Sequence, residues 1–273
     1  MPSSAYQRFA AAEPAALAGP VPDLDLRTGS YRVRFARDEA DVERACRLRF
    51  EVFNRELGEG LAESWAAGLD RDRFDAQCQH LLVETADGRE VVGTYRLQAW
   101  EQAAAGHGFY SAGEFLLEEL PEWVLHESVE LGRACVAREH RNTLVLFALW
   151  RGLASYVLWH RKRFFFGCNS LTSQSEEYGL RTWRHLREHG HVHPEFRLQP
   201  RPEVACRPGR PDPEAERPVA IPRLFGIYLR YGGKVCGPPA LDRDFKTVDF
   251  FTILDLAAMD EETFVGFLQE DGA

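Results

Sequence analysis

The sequence predicts a mixed α/β or α+β fold, in which helices cover one sheet. Strand patterns at 79–84 and 90–98 flank an Asp87-Gly88 turn signal, which is typical of an antiparallel hairpin. Farther along, strand and helix patterns alternate, which favours a sheet packed against helices. The chain has 273 residues, of which 45% are hydrophobic, and this is enough for one sizeable core.

The first elements follow a loose start. Residues 1–29 are rich in Ala, Pro and Gly, and we expect a loose N-terminal arm there. The alternation over Tyr31–Phe35 predicts the first strand. Asp38 then begins a helix that has acidic residues in its first turn. The apolar stripe of this helix recurs at helical spacing and consists of Val42, Cys46, Phe50, Phe53 and Leu57.

The middle of the chain alternates strands and helices. Residues 128–136 have the composition of a strand. A long helix is predicted from Asn142 to about His160. The short apolar run 164–168 is typical of a buried strand. Another helix is expected over 173–189.

The last part of the chain is more irregular. Residues 198–222 are rich in Pro and Arg, which predicts a loop or an insertion. The segment 223–232 is predicted to be a strand. The acidic C-terminal end, 259–273, is expected to form a helix from about Asp260.

Charge is unevenly divided along the chain. The net charge of −9 argues against general nucleic-acid binding, and we expect no nucleic-acid partner. Residues 151–234, however, carry 15 basic and 8 acidic side chains, a net of +7. This basic segment is either a solvated face or a dock for an anion, such as a phosphopantetheine carrier, coenzyme A or lipid headgroups.

Several classes of protein are disfavoured by the absence of their motifs. No apolar run approaches the roughly 18 residues that a membrane helix needs, and the first 20 residues do not resemble a signal peptide. The six cysteines form no CxxC pair, which fits a reducing cytoplasm and predicts no metal site. Dinucleotide-binding, P-loop and GxSxG motifs are missing, and the histidine group at 185–193 lacks the Glu of HExxH.

A polar loop at 70–75 carries paired acidic residues. Asp72 and Asp75 flank Phe74, and this pair either binds a cationic substrate or serves turn formation and capping. Arg49 and Arg96 lie beside apolar residues. Arginine suits bidentate binding of a carboxylate or phosphate, so these two either bind such a ligand or cross-brace the fold through Asp72 or Asp75.

The predicted strand 128–136 contains two charged residues, Glu130 and Arg133. Charged side chains in an otherwise apolar strand are costly unless they are paired or functional. In a regular strand these positions point to opposite faces, so they converge only if a bulge lies between them. Gly132 is a suitable place for such a bulge. The alternative is an ion pair on the face of the sheet.

The sequence resembles a known family in five ordered motifs and in a C-terminal stretch. The motifs are LRFEVF (48–53), DRDRFDAQCQHLLV (70–83), VVGTYRL (91–97), ELGRACV (130–136) and FFGCNS (165–170), and the stretch is 221–251. Together they resemble GNAT-fold N-acyltransferases of the ornithine-acyl-[acyl carrier protein] N-acyltransferase group, often labelled hemolysin-like. This group is related to acyl-homoserine lactone synthases and N-acyl amino acid synthases.

The resemblance covers about 31–256 and implies both a fold and a reaction. The expected fold is a GNAT-like, largely antiparallel central sheet flanked by helices over 30–258. The expected reaction moves a long-chain fatty acyl group from a carrier-protein thioester to the α-amine of an amino acid, best ornithine, which gives lyso-ornithine lipid. Synthesis of acyl-homoserine lactone or of N-acyl glycine or tyrosine is the alternative, and a non-catalytic acyl-chain or carrier-protein binding module is another.

The resemblance also implies roles for residues of this sequence. Catalysis is expected from Glu130 and Arg133, with Glu130 as the general base. The acceptor amino acid is expected to contact Arg49, Phe53, Asp72, Asp75, His80 and Arg96. The acyl donor is expected at Arg138, Arg141, Asn142 and Thr143.

The resemblance implies no metal and no tightly bound cofactor, since the donor is a phosphopantetheine thioester. Residues 141–146 contain no glycine, whereas GNAT acetyltransferases have a Gly-rich pyrophosphate loop there. This favours an acyl carrier protein over coenzyme A as the donor. The expected location is cytoplasmic, with peripheral contact to the inner membrane.

Overall fold

The computed structural model describes residues 21–209 and 212–268. Within these residues, nine strands form one sheet in the order β1-β2-β3-β4-β5-β6-β9-β7, with β8 also beside β9. The strands are Asp25–Thr28 (β1), Tyr31–Phe35 (β2), Gln79–Thr85 (β3), Val91–Ala99 (β4), Ser128–Val136 (β5), Phe164–Leu171 (β6), Lys234–Val235 (β7), Ala240–Asp242 (β8) and Thr247–Asp255 (β9). Neighbouring strands are antiparallel except for the parallel pair β5 and β6. The predicted largely antiparallel sheet is confirmed.

Helices connect the strands and cover both faces of the sheet. They are Glu39–Arg49 (α1), Ser64–Ala67 (α2), Trp100–Ala105 (α3), Glu122–His126 (α4), Thr143–Trp159 (α5), Glu176–Glu188 (α6), Arg223–Arg230 (α7) and Glu261–Leu268 (α8). α1 continues directly into a π-helical segment, Phe50–Leu57. No helix of the described residues has both the length and the apolar character that crossing a bilayer requires.

Capping side chains explain where the two principal helices begin. The Asp38 carboxylate accepts a hydrogen bond from the amide of Asp41 at the start of α1. The Asn142 side chain accepts one from the amide of Val145 at the start of α5. These interactions satisfy backbone donors that have no partner inside the helix.

The two helices cover opposite faces of the same strands. Side chains alternate along β3, so Leu81 packs in the core beneath α5, whereas Leu82 packs in the core with α1. Trp150 of α5 stacks on Phe267 of α8 with ring centroids 5.4 Å apart. The C-terminal helix is therefore part of the main core, and its predicted existence is confirmed. Residues 269–273 lie outside the described residues.

The sheet opens between β5 and β6. These parallel strands pair only from Ser128 opposite Phe164 to Glu130 opposite Phe166. Beyond that point β6 remains paired along its whole length with β9, while β5 continues with β4. A gap between two diverging strands is therefore built into the middle of the sheet.

β5 is bulged at the mouth of this gap. Thr94 of β4 pairs with Cys135, but Arg96 pairs with Gly132, so Arg133 and Ala134 stand opposite a single residue. Arg133 has a positive φ of 46°, which is unusual for a residue with a side chain. The bulge therefore lies at Arg133 and Ala134, directly after Gly132, which the sequence offered as a suitable place for it.

Two predictions about secondary structure need correction. Residues 223–232 were expected to form a strand, but Arg223–Arg230 form helix α7. The apolar residues of this short segment also recur at a spacing of four, as in Leu224 and Tyr228, so both periodicities fit. The arm 1–29 is not loose throughout, because its residues Asp25–Thr28 form β1, while residues 1–20 lie outside the described residues.

The Pro/Arg-rich segment 198–222 is irregular, as predicted, but it is packed against the domain. Leu198 is fully buried and its amide donates to the carbonyl of Cys236. Ala205 forms an isolated bridge with Ala240 of β8. Residues 210–211 lie outside the described residues.

Candidate active site

A cavity of about 250 Å³ occupies the gap between β5 and β6. One group of its lining residues belongs to the apolar core under α5, and it comprises Tyr95, Leu97, Leu131, Phe165, Tyr228 and Leu254. The other group is polar and comprises Arg96, Gln98, Tyr110, Glu130, Arg133, Cys168 and Asp249. Because neighbouring strand residues such as Tyr95 and Arg96 point to opposite faces, the cavity reaches both sides of the sheet.

Arg49 is fully buried beside the polar half of this cavity. Its Nε lies 2.8 Å from Oδ1 of Asp70, and its Nη1 and Nη2 lie 2.8 and 3.0 Å from the two carboxylate oxygens of Asp75. Although burial acts to raise the pKa of Asp75, Arg49 and Arg96 hold that pKa well below its usual range. Such bidentate pairing fixes the loop 70–75 against α1.

Arg96 and Arg133 extend the same network. Arg96 Nη1 lies 2.6 Å from Oδ1 of Asp72 and 3.1 Å from Oδ1 of Asp75. Arg133 Nη2 lies 3.1 Å from Oδ2 of Asp72. Arg49 and Arg96 thus make the cross-bracing contacts with Asp72 and Asp75 that one of the two alternatives describes. Three arginines and three aspartates, including Asp70, which was not predicted, neutralise one another.

Phe53 and His80 take different places around this network. Phe53 lines the cavity and packs edge to face on Phe245, with ring centroids 5.2 Å apart. His80 is buried behind the loop, where its Nε2 lies 3.2 Å from the carbonyl oxygen of Asp75. Burial lowers the pKa of His80 to about 4, so its imidazole is neutral at physiological pH.

Glu130 lines the cavity with both carboxylate oxygens hydrogen-bonded. Oε2 accepts from Gln98 Nε2 at 2.6 Å and from the Tyr110 amide at 2.8 Å. Oε1 accepts from the Ser111 amide at 2.7 Å and from Ser111 Oγ at 2.6 Å. The carboxylate is therefore held by four donors and orients the Ser111 hydroxyl.

The bulge brings Arg133 to the same cavity as Glu130. The Arg133 guanidinium lies 4.9 Å from the ring centroid of Tyr110 and 4.3 Å from that of Phe245. Its Nε is buried 3.4 Å from Oδ1 of Asp70 and makes no hydrogen bond within the part of the chain that the structure describes. The bulge thus allows Glu130 and Arg133 to face one cavity, although they are three positions apart in the strand. The Nε–H group of Arg133 remains available to donate a hydrogen bond.

The four residues predicted to bind the donor stand together at the start of α5, namely Arg138, Arg141, Asn142 and Thr143. None of them lines the cavity among the described residues. Both terminal nitrogens of Arg141 lie 2.7 Å from the carboxylate of Glu56. Asn142 caps the helix, so the first turn of α5 is already partly satisfied.

Three further carboxylates near the cavity were not predicted from the sequence. Glu59 and Asp249 line the cavity, and Glu114 lies behind Cys168. Burial raises the pKa of Glu59 to about 7, and burial also raises the pKa values of Glu114 and Asp249. Ligand atoms of Glu114, Cys168 and Asp249 lie within 4.8 Å of one another. No short sequence motif indicates this group of carboxylates, because its members come from distant segments of the chain.

A sheet split at a bulged strand, with a two-sided cavity in the split, agrees with the family matches, which show that this protein is a GNAT-type acyltransferase. Residues 48–151 match the family model described as "Acetyltransferase (GNAT) domain". The fold also resembles that of FeeM, an N-acyl amino acid synthase from uncultured soil microbes, with a TM-score of 0.50 and 11% identity. That match covers 84% of this chain and 93% of FeeM.

The sequence relatives define the family more narrowly. The chain is 33% identical over 265 residues to L-ornithine N(alpha)-acyltransferase of Rhizobium meliloti (strain 1021), covering 93% of this chain and 88% of that protein. It is 35% identical over 245 residues to the protein of the same name from Rhodobacter capsulatus, covering 85% and 93% of the two chains. The chain therefore belongs to the L-ornithine N(alpha)-acyltransferase family, as the sequence motifs predicted.

Proposed function

We propose that this protein transfers a long-chain fatty acyl group from a phosphopantetheine thioester to the α-amine of ornithine, which gives lyso-ornithine lipid. The observation that carries the proposal is the cavity that passes through the sheet between β5 and β6. It joins an apolar side, suited to an acyl chain, to a polar side, suited to an amino acid. The family to which the chain belongs supports ornithine as the acceptor.

The apolar side is proposed to receive the acyl thioester. Tyr95, Leu131 and Tyr228 line this side of the cavity. The attacked thioester carbonyl develops negative charge on oxygen, and backbone amides near the bulge at Gly132 are placed to stabilise it. Because β5 does not pair with β6 beyond Glu130, backbone there is free to face a ligand.

The polar side is proposed to bind the amino acid through Arg133. Its guanidinium is permanently charged, and its Nε makes no hydrogen bond among the described residues, although Oδ1 of Asp70 lies 3.4 Å away. Arg49, by contrast, uses Nε, Nη1 and Nη2 on Asp70 and Asp75. Arg133 is therefore the better group for the α-carboxylate, and Arg49 holds the loop that shapes the site.

Proton removal is proposed to run through Ser111 to Glu130. The α-ammonium group must lose a proton before its nitrogen can attack the thioester. Ser111 Oγ lines the cavity and donates to Glu130 Oε1 at 2.6 Å. The hydroxyl can accept the amine proton as it passes its own proton to the carboxylate, so Glu130 acts as the base through one intervening group.

An acyl carrier protein is proposed as the donor, in preference to coenzyme A. At the start of α5, the Asn142 side chain caps the helix and Arg141 pairs with Glu56. Few hydrogen-bond donors are therefore left there to bind a pyrophosphate. The net positive charge of the segment 151–234 would attract an acidic carrier. Raising ionic strength from about 0.05 M to about 0.3 M should then weaken carrier binding, and an unchanged affinity would contradict an electrostatic dock.

Peripheral contact with a membrane is proposed from the chemistry of the product. An N-acylated amino acid is amphipathic and belongs in a lipid surface. Leu57 lines the cavity and is 39% exposed, so it marks an apolar rim from which such a product can leave.

The experiment that tests the function is a transfer assay. The protein is incubated with palmitoyl carrier protein and a pool of amino acids, and N-acyl products are identified by mass spectrometry. The expected product is N-palmitoyl-ornithine acylated on the α-nitrogen. Product with glycine but not with ornithine would contradict the acceptor only, and no product with any amino acid would contradict the enzyme assignment.

A further inference from the structure

The cavity carries a group of carboxylates that the proposed reaction does not use. Glu59, Glu114 and Asp249 form what we call the acidic wall. We infer that the acidic wall binds the side-chain ammonium group of the acceptor and thereby selects a diamino acid over a neutral amino acid. This inference rests on the proposed function and extends it to the residues that recognise the far end of the substrate.

The paired aspartates of the loop are poor candidates for this role. Asp72 is held by Arg96 and Arg133, and Asp75 is held by Arg49 and Arg96. Each of these carboxylates already has a buried cation beside it, so a second cation would find its charge compensated. We therefore expect a cationic part of the substrate to bind carboxylates outside the loop 70–75.

The acidic wall has no such compensation. Within the described part of the chain, no Lys, Arg or His nitrogen forms a salt bridge with Glu59, Glu114 or Asp249. Glu59 accepts a hydrogen bond from the Thr172 hydroxyl, which is neutral. Because these three carboxyl groups lack a salt-bridged cation, burial raises their pKa values, and a bound cation would stabilise their charged form.

Two buried oxygens of the wall also lack hydrogen bonds. Glu114 is 6% exposed and Asp249 is 3% exposed. Apart from the contact between the two carboxyl groups themselves, Oε1 of Glu114 and Oδ1 of Asp249 accept no hydrogen bond among the described residues. Buried polar atoms are almost always satisfied in native proteins, so these two mark places that a ligand's donors would occupy. Asp249 itself lines the cavity, which gives such a ligand access.

An ammonium group fits this site better than a metal ion does. The third potential ligand beside Glu114 and Asp249 is the Cys168 thiol, and burial raises the pKa of that thiol well above its usual value. Metals bind the thiolate, which this environment disfavours. An ammonium group instead carries three donors that suit several carboxylate acceptors at once.

The cavity contains groups of both charges, as the substrate does. A diamino acid has a carboxylate at one end and a cation at the other. Arg133 supplies the positive group and Asp249 the negative group of one cavity. The aromatic ring of Tyr110, over which Arg133 lies, also lines this space. The charge pattern of the site therefore matches that of ornithine.

The test compares two acceptors that differ only in the terminal ammonium group. Transfer from palmitoyl carrier protein is measured with ornithine and with norvaline, which has the same carbon chain. We expect the wild-type kcat/KM to favour ornithine by about 100-fold or more, because a site built for a charged donor rejects an analogue that lacks it. Asp249→Asn and Glu114→Gln should each reduce that preference at least about tenfold, chiefly through KM for ornithine.

The matched control is Asp244→Asn, which removes an exposed carboxylate from the β8–β9 turn and should leave the preference unchanged. Thermal unfolding verifies that each variant is folded, and the two wall variants provide independent tests. An unchanged ornithine preference in both wall variants would overturn the inference. So would stoichiometric metal in the purified wild-type protein that is lost in Glu114→Gln.

The outcomes also separate this inference from the proposed function. If the wild-type protein acylates ornithine and norvaline equally well, the acidic wall does not recognise the side-chain ammonium group, but the acyltransferase assignment stands. If it acylates no amino acid, the proposed function itself fails.

Discussion

Gly167 of β6 touches the backbone of Leu131 in β5 at the point where these two strands separate. A β-carbon built on Gly167 would lie 2.2 Å from the carbonyl oxygen of Leu131. Only glycine allows this approach, since no side-chain atom can occupy that space. The contact therefore fixes where the sheet opens and, with it, the position of the cavity.

Gly167→Ala is expected to disturb the split in the sheet. The backbone must move to accommodate the new methyl group, so we expect the substitution to lower Tm by several degrees and to reduce acyl transfer strongly. Gly266→Ala is the control, because its added β-carbon meets nothing within 4 Å. That control should retain full activity. A Gly167→Ala protein with wild-type activity and Tm would show that the contact does not set the geometry.

Breaking the buried arginine–aspartate network is expected to be costly. Arg49→Met leaves the carboxylates of Asp70 and Asp75 with one fewer buried cation, and the expected loss is about 3–5 kcal/mol in the free energy of unfolding. Chemical denaturation measures this loss. Arg47→Met on the same helix removes an exposed pair with Glu43 and should change stability by less than about 1 kcal/mol. Equal effects of the two substitutions would contradict the bracing role.

Removing the proposed proton relay should slow the chemistry without preventing donor binding. Ser111→Ala and Glu130→Gln should each lower kcat by roughly 10²-fold or more, which is the usual contribution of acid–base catalysis. Carrier-protein affinity should remain within about twofold of wild type. Ser128→Ala deletes another buried hydroxyl, one that donates to the Val124 carbonyl, and serves as the control. If kcat survives in both relay variants, another group is the base.

Glu59 is expected to link stability to pH. Burial raises its pKa to about 7 in the folded protein from 4.5 in the unfolded chain, so the folded state binds more protons between these values. Stability from this group therefore falls as pH rises from about 4.5 to 7.

Glu59→Gln should leave stability nearly unchanged at pH 4.5 and increase it by up to about 3 kcal/mol at pH 8, relative to wild type. Denaturant unfolding at the two pH values measures the difference, and Glu63→Gln, at an exposed position, is the control. A difference that is independent of pH would show that Glu59 is not held in an unfavourable charged state. The same substitution should also weaken ornithine binding, so the gain in stability at pH 8 would be accompanied by a loss of function.

Local sequence patterns predicted much of the fold. The β3–β4 hairpin follows from alternation around an Asp-Gly turn, and α5 begins where the Asn142 cap predicts. The sequence made a bulge near Gly132 the condition for Glu130 and Arg133 to converge, and the bulge lies at the next two residues, Arg133 and Ala134. In each case the information lies within a few neighbouring residues, so one sequence is enough.

Other features depend on contacts between distant segments. The short apolar pattern of α7 fits the periodicity of a strand as well as that of a helix, which is why the sequence predicted a strand. In the structure, Phe225 and Tyr228 pack in two different hydrophobic clusters, and this packing favours the helix. β9 was not predicted at all, although it pairs with three other strands. Glu114 and Asp249 are 135 positions apart, and only the folded sheet brings them close to one another.

The most direct test of the two-sided cavity is a crystal structure of the protein with N-palmitoyl-ornithine bound. We expect an amide bond in the gap between β5 and β6, with the acyl chain against Tyr95, Leu131 and Tyr228. We expect the ornithine carboxylate at Arg133 and its side-chain ammonium at Asp249. A product bound outside the gap, or with its acyl chain on the Arg133 side and ornithine on the Tyr228 side, would contradict this arrangement.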